Sequence, residues 1–196
     1  MAQTAVAPVD ESASPSATSR RRFRWLYVVL GVLLLAAGTY TFAWYRAYRL
    51  SMRFMENAAE SFEAGNYLNA LTGFNEFDEA ANRYVYRGGY GQVALIWADP
   101  YAWPRPAALT EARARTDEII QQRLTGDDAE AYIEENAGQG SPYLGRIYLR
   151  AGELYEEAGD TDDAADVYEE VADLFPNDAA LNEQANAHLK RLEAQE

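Results

Sequence analysis

The residues that could carry out chemistry are few in this chain. The sequence has no cysteine and a single histidine, His188. Cysteine nucleophiles and thiolate zinc sites are therefore excluded. His188 falls on a polar C-terminal segment, where we expect it to be a surface residue. We expect neither a Ser-His-Asp triad nor a histidine-rich metal site.

Two short runs superficially resemble ligand-binding loops. The run Gly159-Asp160-Thr161-Asp162-Asp163 suggests calcium, but Ala164, Ala165 and Val171 occupy positions where an EF-hand loop needs a ligand, a Gly and a bidentate Glu. The run Gly88-Gly89-Tyr90-Gly91 lacks the Lys and Ser/Thr of a phosphate loop. We therefore predict no catalytic, cofactor-binding or metal-binding residue, no small-molecule substrate and no enzymatic activity.

The charge of the chain is distributed unevenly. Residues 1–49 carry six arginines and two acidic residues, a net charge of +4, whereas the remaining residues carry 11 basic and 29 acidic side chains, a net charge of −18. A domain this negative repels nucleic acid and anionic lipid headgroups. Nucleic acid is therefore not an expected partner. The acidic residues form either a solvated surface without a partner or a docking site for a partner.

Residues 25–45 contain no charged side chain over 21 positions. A helix of this length spans about 30 Å, which matches the hydrocarbon core of a bilayer. Aromatic residues, which favour the membrane interface, and arginines flank the run. The predicted anchor residues are Trp25, Tyr27, Trp44, Tyr45, Arg20, Arg21, Arg22 and Arg24. We predict a disordered tail with a basic flank over residues 1–22 and a transmembrane helix over residues 23–46.

A cleaved signal peptide is the alternative to a retained anchor. Residues 19–24, Ser-Arg-Arg-Arg-Phe-Arg, resemble a twin-arginine export signal, and Ala36-Ala37-Gly38 fits a small-residue cleavage site. Against cleavage, the apolar run continues for seven residues past Gly38. The denser arginine cluster lies before the span, so we expect the tail inside and the acidic domain outside the cytoplasm.

Helical periodicity follows the span. A helix reaching Phe62, the turn Gly65-Asn66 and a second apolar run from Tyr67 to Ala81 predict a first helical hairpin over residues 47–81. Connecting helices are predicted at about 107–124 and 127–136, within residues 107–137, the second capped by Asp127. Ser141 and Pro142 are expected to begin the first helix of a further hairpin over residues 141–177. Residues 178–196 are predicted to form a C-terminal capping helix.

The second hairpin resembles the tetratricopeptide repeat (TPR) family, whose 34-residue unit is a helix-turn-helix. Gly152, Tyr155, Gly159, Ala164, Tyr168 and Pro176 occupy the family's small, aromatic, turn, small, aromatic and terminator positions. The first hairpin fits only partly, through Gly65, Tyr67, Ala70 and Phe74, and has Ser61 where an aromatic residue is expected. The resemblance implies a TPR-like stack of antiparallel hairpins, and together with the predicted span it gives an all-α fold in which one N-terminal transmembrane helix precedes that stack.

Residues 82–106 interrupt the repeats with glycine, proline and aromatic residues, and we predict an irregular segment in which only Gln92–Ala98 forms a short helix. The aromatic residues either fill the core between the two repeat blocks or bind a partner, since Tyr and Trp are enriched in protein interfaces. The candidate partner-binding residues are Tyr84, Tyr86, Tyr90, Trp97, Tyr101 and Trp103.

These features predict a single-pass scaffold or accessory subunit of a membrane or envelope complex, in a bacterial inner membrane, that binds protein partners including a membrane protein. The architecture is similar to that of YfgM-like bacterial envelope proteins, which implies accessory or chaperone-like work at a protein translocon. A TPR-like binding protein secreted after signal cleavage is the alternative.

Overall fold

The computed structural model describes residues 18–138 and 141–194, with side chains from residue 24 onward. Within these residues the chain is mostly helical, with eight α-helices and one two-stranded sheet. It divides into two compact units, Met1–Arg46 and Ala47–Glu196. The disordered tail was predicted over residues 1–22. Its first 17 residues lie outside the described residues, and helix α1 begins at Thr18.

The first unit contains the N-terminal part of α1 (Thr18–Glu63). Most of its leucines and valines are exposed along the uncharged run. The hydroxyls of Thr39 and Thr41 donate to the carbonyl oxygens of Leu35 and Ala37, so these polar groups are satisfied within the helix. Among the described residues, this is the one helix long and apolar enough to cross a membrane, judged by length and composition, and none of its apolar window is buried.

The second unit begins with the C-terminal part of α1 and continues through short elements. Their bounds are α2 Tyr67–Thr72, β1 Phe74–Asp78, β2 Arg83–Arg87 and α3 Tyr90–Ile96. Four longer helices follow, with a π-helical turn at Ile119–Arg123 after the first of them. Their bounds are α4 Ala107–Glu118, α5 Gly126–Asn136, α6 Leu144–Ala158 and α7 Thr161–Leu174, and the C-terminal helix is α8 Ala179–Glu193.

The predicted helical run from Tyr67 to Ala81 is wrong beyond Thr72. Gly73 ends α2 with a φ of 76°, a left-handed conformation that favours glycine. The chain then forms an antiparallel β-hairpin in which Phe77 lies opposite Tyr84. In its turn, the Asp78 carboxylate accepts hydrogen bonds from the two backbone N–H groups of residues 80 and 81. Aromatic and β-branched side chains favour strands, which explains β2.

Two helix starts also differ from the sequence prediction. Helix α5 is capped by Thr125 instead of Asp127: the Thr125 side chain accepts from the N–H of Asp128, whose carboxylate accepts from the N–H of Thr125. This reciprocal pair satisfies two N–H groups at the helix start. Helix α6 begins at Leu144, so Ser141 and Pro142 precede the helix instead of forming its cap and first residue.

The core of the second unit is built from one face of each helix. Fully buried side chains come from α2, α3, α4, the π-helical turn, α5, α6 and α7, namely Ala70, Leu71, Val93, Ala112, Ile119, Ala129, Ile147, Ala164, Tyr168 and Val171. Helix α8 adds Leu181, Ala185 and Leu192, the thin apolar stripe expected of a capping helix. The three C-terminal helices pack in sequence, α6 against α7 and α7 against α8.

Candidate protein-binding surfaces

The hairpin of α6 and α7 is held together by a close helix approach. Gly159 ends α6 in the left-handed region, with a φ of 90°. Across the hairpin, Gly152 lies against the ring of Tyr168: a Cβ at Gly152 would lie 2.6 Å from Tyr168 Cζ. Ala164 is completely buried. The two small residues therefore let the helices approach, and Tyr168 fills the space beside them.

Tyr168 joins the hairpin to α8 through a polar cluster. Its hydroxyl donates to Glu156 Oε1 at 2.7 Å and lies 2.9 Å from His188 Nδ1. His188 Nδ1 lies 2.7 Å from the same carboxylate oxygen, and Arg191 donates to Glu156 Oε2 at 2.6 Å. His188 was expected at the surface, but its side chain is only 18% exposed. That expectation is wrong because α8 folds back over α6 and α7.

The protonation of this cluster follows from its burial and its hydrogen bonds. Burial raises the pKa of Tyr168, and the adjacent Glu156 carboxylate raises it further, so the phenol remains a donor. Burial alone would raise the pKa of Glu156, but hydrogen bonds from Tyr168, His188 and Arg191 outweigh it and lower that pKa. Glu156 is therefore an ionised acceptor for groups on α7 and α8.

The other repeat positions of this block also make defined contacts. The Tyr155 hydroxyl donates to Glu130 Oε1 at 2.5 Å and so links α6 to α5. That hydrogen bond raises the pKa of Tyr155 to about 12. Pro176 is exposed and follows the end of α7. The hairpin thus contacts α5 on one side and α8 on the other.

The first repeat block is only partly built as the sequence suggested. Gly65 forms the turn with a φ of 79°, and Ala70 is completely buried. The ring of Tyr67 packs edge-on against Phe62, with centroids 5.3 Å apart. Phe74, assigned to the second helix, is instead the first residue of β1.

The six aromatic residues of the middle segment divide into two groups. Tyr90 and Trp97 are buried in the core of the second unit. The indole N–H of Trp97 donates to Ser51 Oγ at 2.8 Å, which ties α3 to α1. The other four are exposed, with relative exposures of 73% for Tyr84, 84% for Tyr101, 74% for Trp103 and 44% for Tyr86. The segment therefore contributes both to the core and to the surface.

The glycines of this segment permit close packing, a purpose that the sequence did not reveal. A Cβ at Gly88 would lie 2.5 Å from the Phe54 ring, and a Cβ at Gly89 would lie 2.6 Å from the carbonyl oxygen of Ala70. At Gly91 it would lie 2.8 Å from the Tyr143 ring, whose hydroxyl donates to the Gly91 carbonyl oxygen. These glycines let the start of α3 enter the core.

The predicted membrane-anchor residues lie on α1. Trp25, Tyr27 and Tyr45 are exposed and Trp44 is partly exposed. Arg24 is exposed, whereas the side chains of Arg20, Arg21 and Arg22 lie outside the described residues. In the part of the chain with described side chains, no group of three or more His, Asp or Glu residues is arranged to hold a metal ion.

Comparison with known proteins bears on the C-terminal hairpin. Residues 146–178 match the tetratricopeptide repeat family. The matched residues run from the first turn of α6 to the segment after α7 and include Gly152, Gly159 and Tyr168. The chain is thus TPR-like in this region, and TPR units form a non-catalytic fold for protein interaction. No curated protein and no solved structure matches the chain.

Proposed function

We propose that this chain is a membrane-anchored scaffold, an accessory subunit of a membrane or envelope complex that binds partner proteins through residues 47–196. The observation that carries the proposal is the TPR hairpin at 146–178, packed between α5 and α8. Stacked hairpins present extended surfaces suited to other polypeptides.

The anchor proposal rests on the exposed apolar side chains of the first unit, which favour lipid over water. The leucines and valines of residues 26–35 are mostly exposed in a run without charge. Burying such side chains in lipid is worth about 25 cal/mol for each Å² removed from water. Aromatic residues at both ends support an interfacial position. The arginine cluster before the span favours an extracytoplasmic acidic domain, and a tether of this kind favours partners that include a membrane protein.

The proposal is tested by photo-crosslinking in cells followed by mild-detergent purification. A crosslinking amino acid replaces Trp103, a candidate partner-binding residue that is 74% exposed, and a matched one replaces Glu183, exposed on α8. We expect a discrete adduct with another envelope protein at Trp103 and none at Glu183. Purification of an uncrosslinked chain from both variants would contradict the scaffold.

The same preparation separates the anchored form from the secreted alternative. The intact mass of the mature protein is expected to include residues 1–38, and their loss would favour signal cleavage. A translocon subunit in the adduct would favour the narrower chaperone-like role implied by the YfgM-like architecture.

A further inference from the structure

The β-hairpin is the one sheet within the described residues, and it has only two strands. Each strand therefore has a ladder partner on one side and none on the other. In β1 every residue after Phe74 is exposed. The outer edge of β1 is thus accessible for pairing with another strand.

The hairpin is attached to the helices at one end. Near Gly73, the Tyr86 hydroxyl donates to the carbonyl oxygen of Thr72, and Arg87 donates to Asn57 at 3.2 Å. At the other end, Phe77 and Tyr84 pack edge-on against each other, with centroids 5.2 Å apart, and both are exposed. A two-stranded hairpin is marginally stable in water, and a third strand would stabilise it.

A trough of about 700 Å³ separates the hairpin from residues 50–57 of α1. Four carboxylates and two guanidinium groups line it, belonging to Glu56, Glu76, Asp78, Glu79, Arg53 and Arg87. Arg87 is already paired with Glu76. Within the described residues, no ion pair involves Glu56, Asp78 or Glu79. The trough therefore has an excess of negative charge that its own arginines leave uncompensated.

We infer that the outer edge of β1 docks an extended segment of a partner protein, one with lysine or arginine at alternate positions, as a third strand. In such strand addition, backbone hydrogen bonds provide affinity and alternate side chains provide specificity. By the pleat, Glu76 and Asp78 share one face of β1 and Phe77 lies on the other. Basic side chains of the added strand would meet the carboxylates, and apolar ones would meet the Phe77–Tyr84 pair.

Charge argues against two other occupants of this edge. Antiparallel pairing of β1 with β1 of a second copy, centred on the strand, places Glu76 opposite Glu76, and like charges directly opposite are destabilising. An anionic lipid surface is repelled by a domain whose net charge is −18. The inference rests on the proposed function, because the basic segment would belong to one of the protein partners that the scaffold binds.

The test uses the full chain in nanodiscs of zwitterionic lipid and three fluorescent peptides at physiological salt. The first peptide alternates lysine with valine and phenylalanine. The second is the same peptide with every lysine replaced by glutamate, and the third is the first peptide with its central apolar residue replaced by proline. We expect the first to bind at least about tenfold more tightly than either control, since proline removes ladder hydrogen bonds. Equal binding of the lysine and proline peptides would leave only charge attraction and overturn the inference.

Charge-reversal variants locate the binding site. Glu56 and Glu79 are exposed, so the double variant Glu56→Lys/Glu79→Lys is expected to fold and to bind the lysine peptide about tenfold more weakly. Glu169→Lys, an exposed reversal on α7, is the matched control and should bind as the unsubstituted chain does. Equal affinity of the double variant and the control would overturn the proposed site.

Hydrogen exchange identifies the mode of binding. The lysine peptide is expected to slow exchange of the β1 amides without changing those of α8. Protection confined to other elements, dimerisation through β1 or binding of lipid vesicles at Glu56 and Glu79 would each overturn the inference. A Trp103 adduct in cells, together with β1 amides that the peptide does not protect, would support the scaffold proposal and contradict only the docking of a strand at β1.

Discussion

Gly152 and Tyr168 lie against each other across the C-terminal hairpin, with no room for a methyl group between them. A Cβ at Gly152 would lie 2.6 Å from Tyr168 Cζ, and Tyr168 is completely buried and held by Glu156 and His188. The ring is therefore fixed on both sides. The close approach of α6 and α7 depends on the absence of a side chain at residue 152.

Substituting Gly152 by alanine should destabilise the second unit. Overpacking costs about 1–3 kcal/mol, and alanine regains about 1 kcal/mol of helix propensity, so we expect a net loss of up to about 2 kcal/mol. Urea unfolding of the detergent-solubilised chain, followed by circular dichroism, measures it. Gly126→Ala is the control, because a Cβ there meets no atom within 4 Å. Equal stability of the two variants would contradict the packing argument.

The two tryptophans of the middle segment should respond differently to truncation. Trp97 is 1% exposed and donates to Ser51, so Trp97→Ala is expected to cost about 3–5 kcal/mol. Trp103 is 74% exposed, and Trp103→Ala is expected to change stability by no more than about 0.5 kcal/mol. The midpoint of urea unfolding compares the two variants. Similar midpoints would mean that the burial of Trp97 is not what stabilises this segment.

Local patterns were enough to predict the C-terminal hairpin and not the N-terminal one. In α6 and α7 the apolar spacing, the turn at Gly159 and the small residues all favour one structure. After Gly73, however, Phe74, Phe77 and Ala81 fit a helical spacing, and the strand appears only through its pairing with residues 83–87. Strand pairing depends on tertiary context more than helical periodicity does.

Burial of individual side chains was the other feature that the sequence did not reveal. Tyr90 and Trp97 are buried while Tyr101 and Trp103 are exposed, although all four lie in one aromatic-rich segment. His188 meets Glu156 only because α8 folds back across 32 positions of the chain. Contacts between distant residues of this kind carry no local signal. The sequence alone therefore could not show which aromatic residues of this segment are exposed for a partner.

The Glu156 cluster should make the docking of α8 sensitive to acid. Because its hydrogen bonds lower the pKa of Glu156 in the folded chain, the associated stability is present above the pKa of the unfolded carboxyl and is lost as the pH falls through the folded value. Glu156→Gln is expected to cost about 1–3 kcal/mol at pH 7 and to flatten the loss of stability below about pH 4.5.

Stability measured by urea unfolding between pH 7 and pH 3 tests this dependence. Glu169→Gln provides the control, since Glu169 is exposed on α7 and makes no contact within the Glu156 cluster. The control should follow the pH profile of the unsubstituted chain. A Glu156→Gln profile parallel to it would show that this carboxylate does not link α8 to the hairpin.

Charges in the middle of the uncharged run should release the chain from membranes. Each arginine at the centre of a spanning helix costs about 2.5–3.5 kcal/mol of insertion free energy. Membrane insertion of the double variant Leu33→Arg/Leu34→Arg should therefore be less favourable by about 5–7 kcal/mol. We expect the double variant in the soluble fraction after flotation and the unsubstituted chain with the vesicles. Leu174→Arg changes an exposed leucine of α7 and should float normally. Co-flotation of the double variant would mean that lipid is not the solvent of this helix.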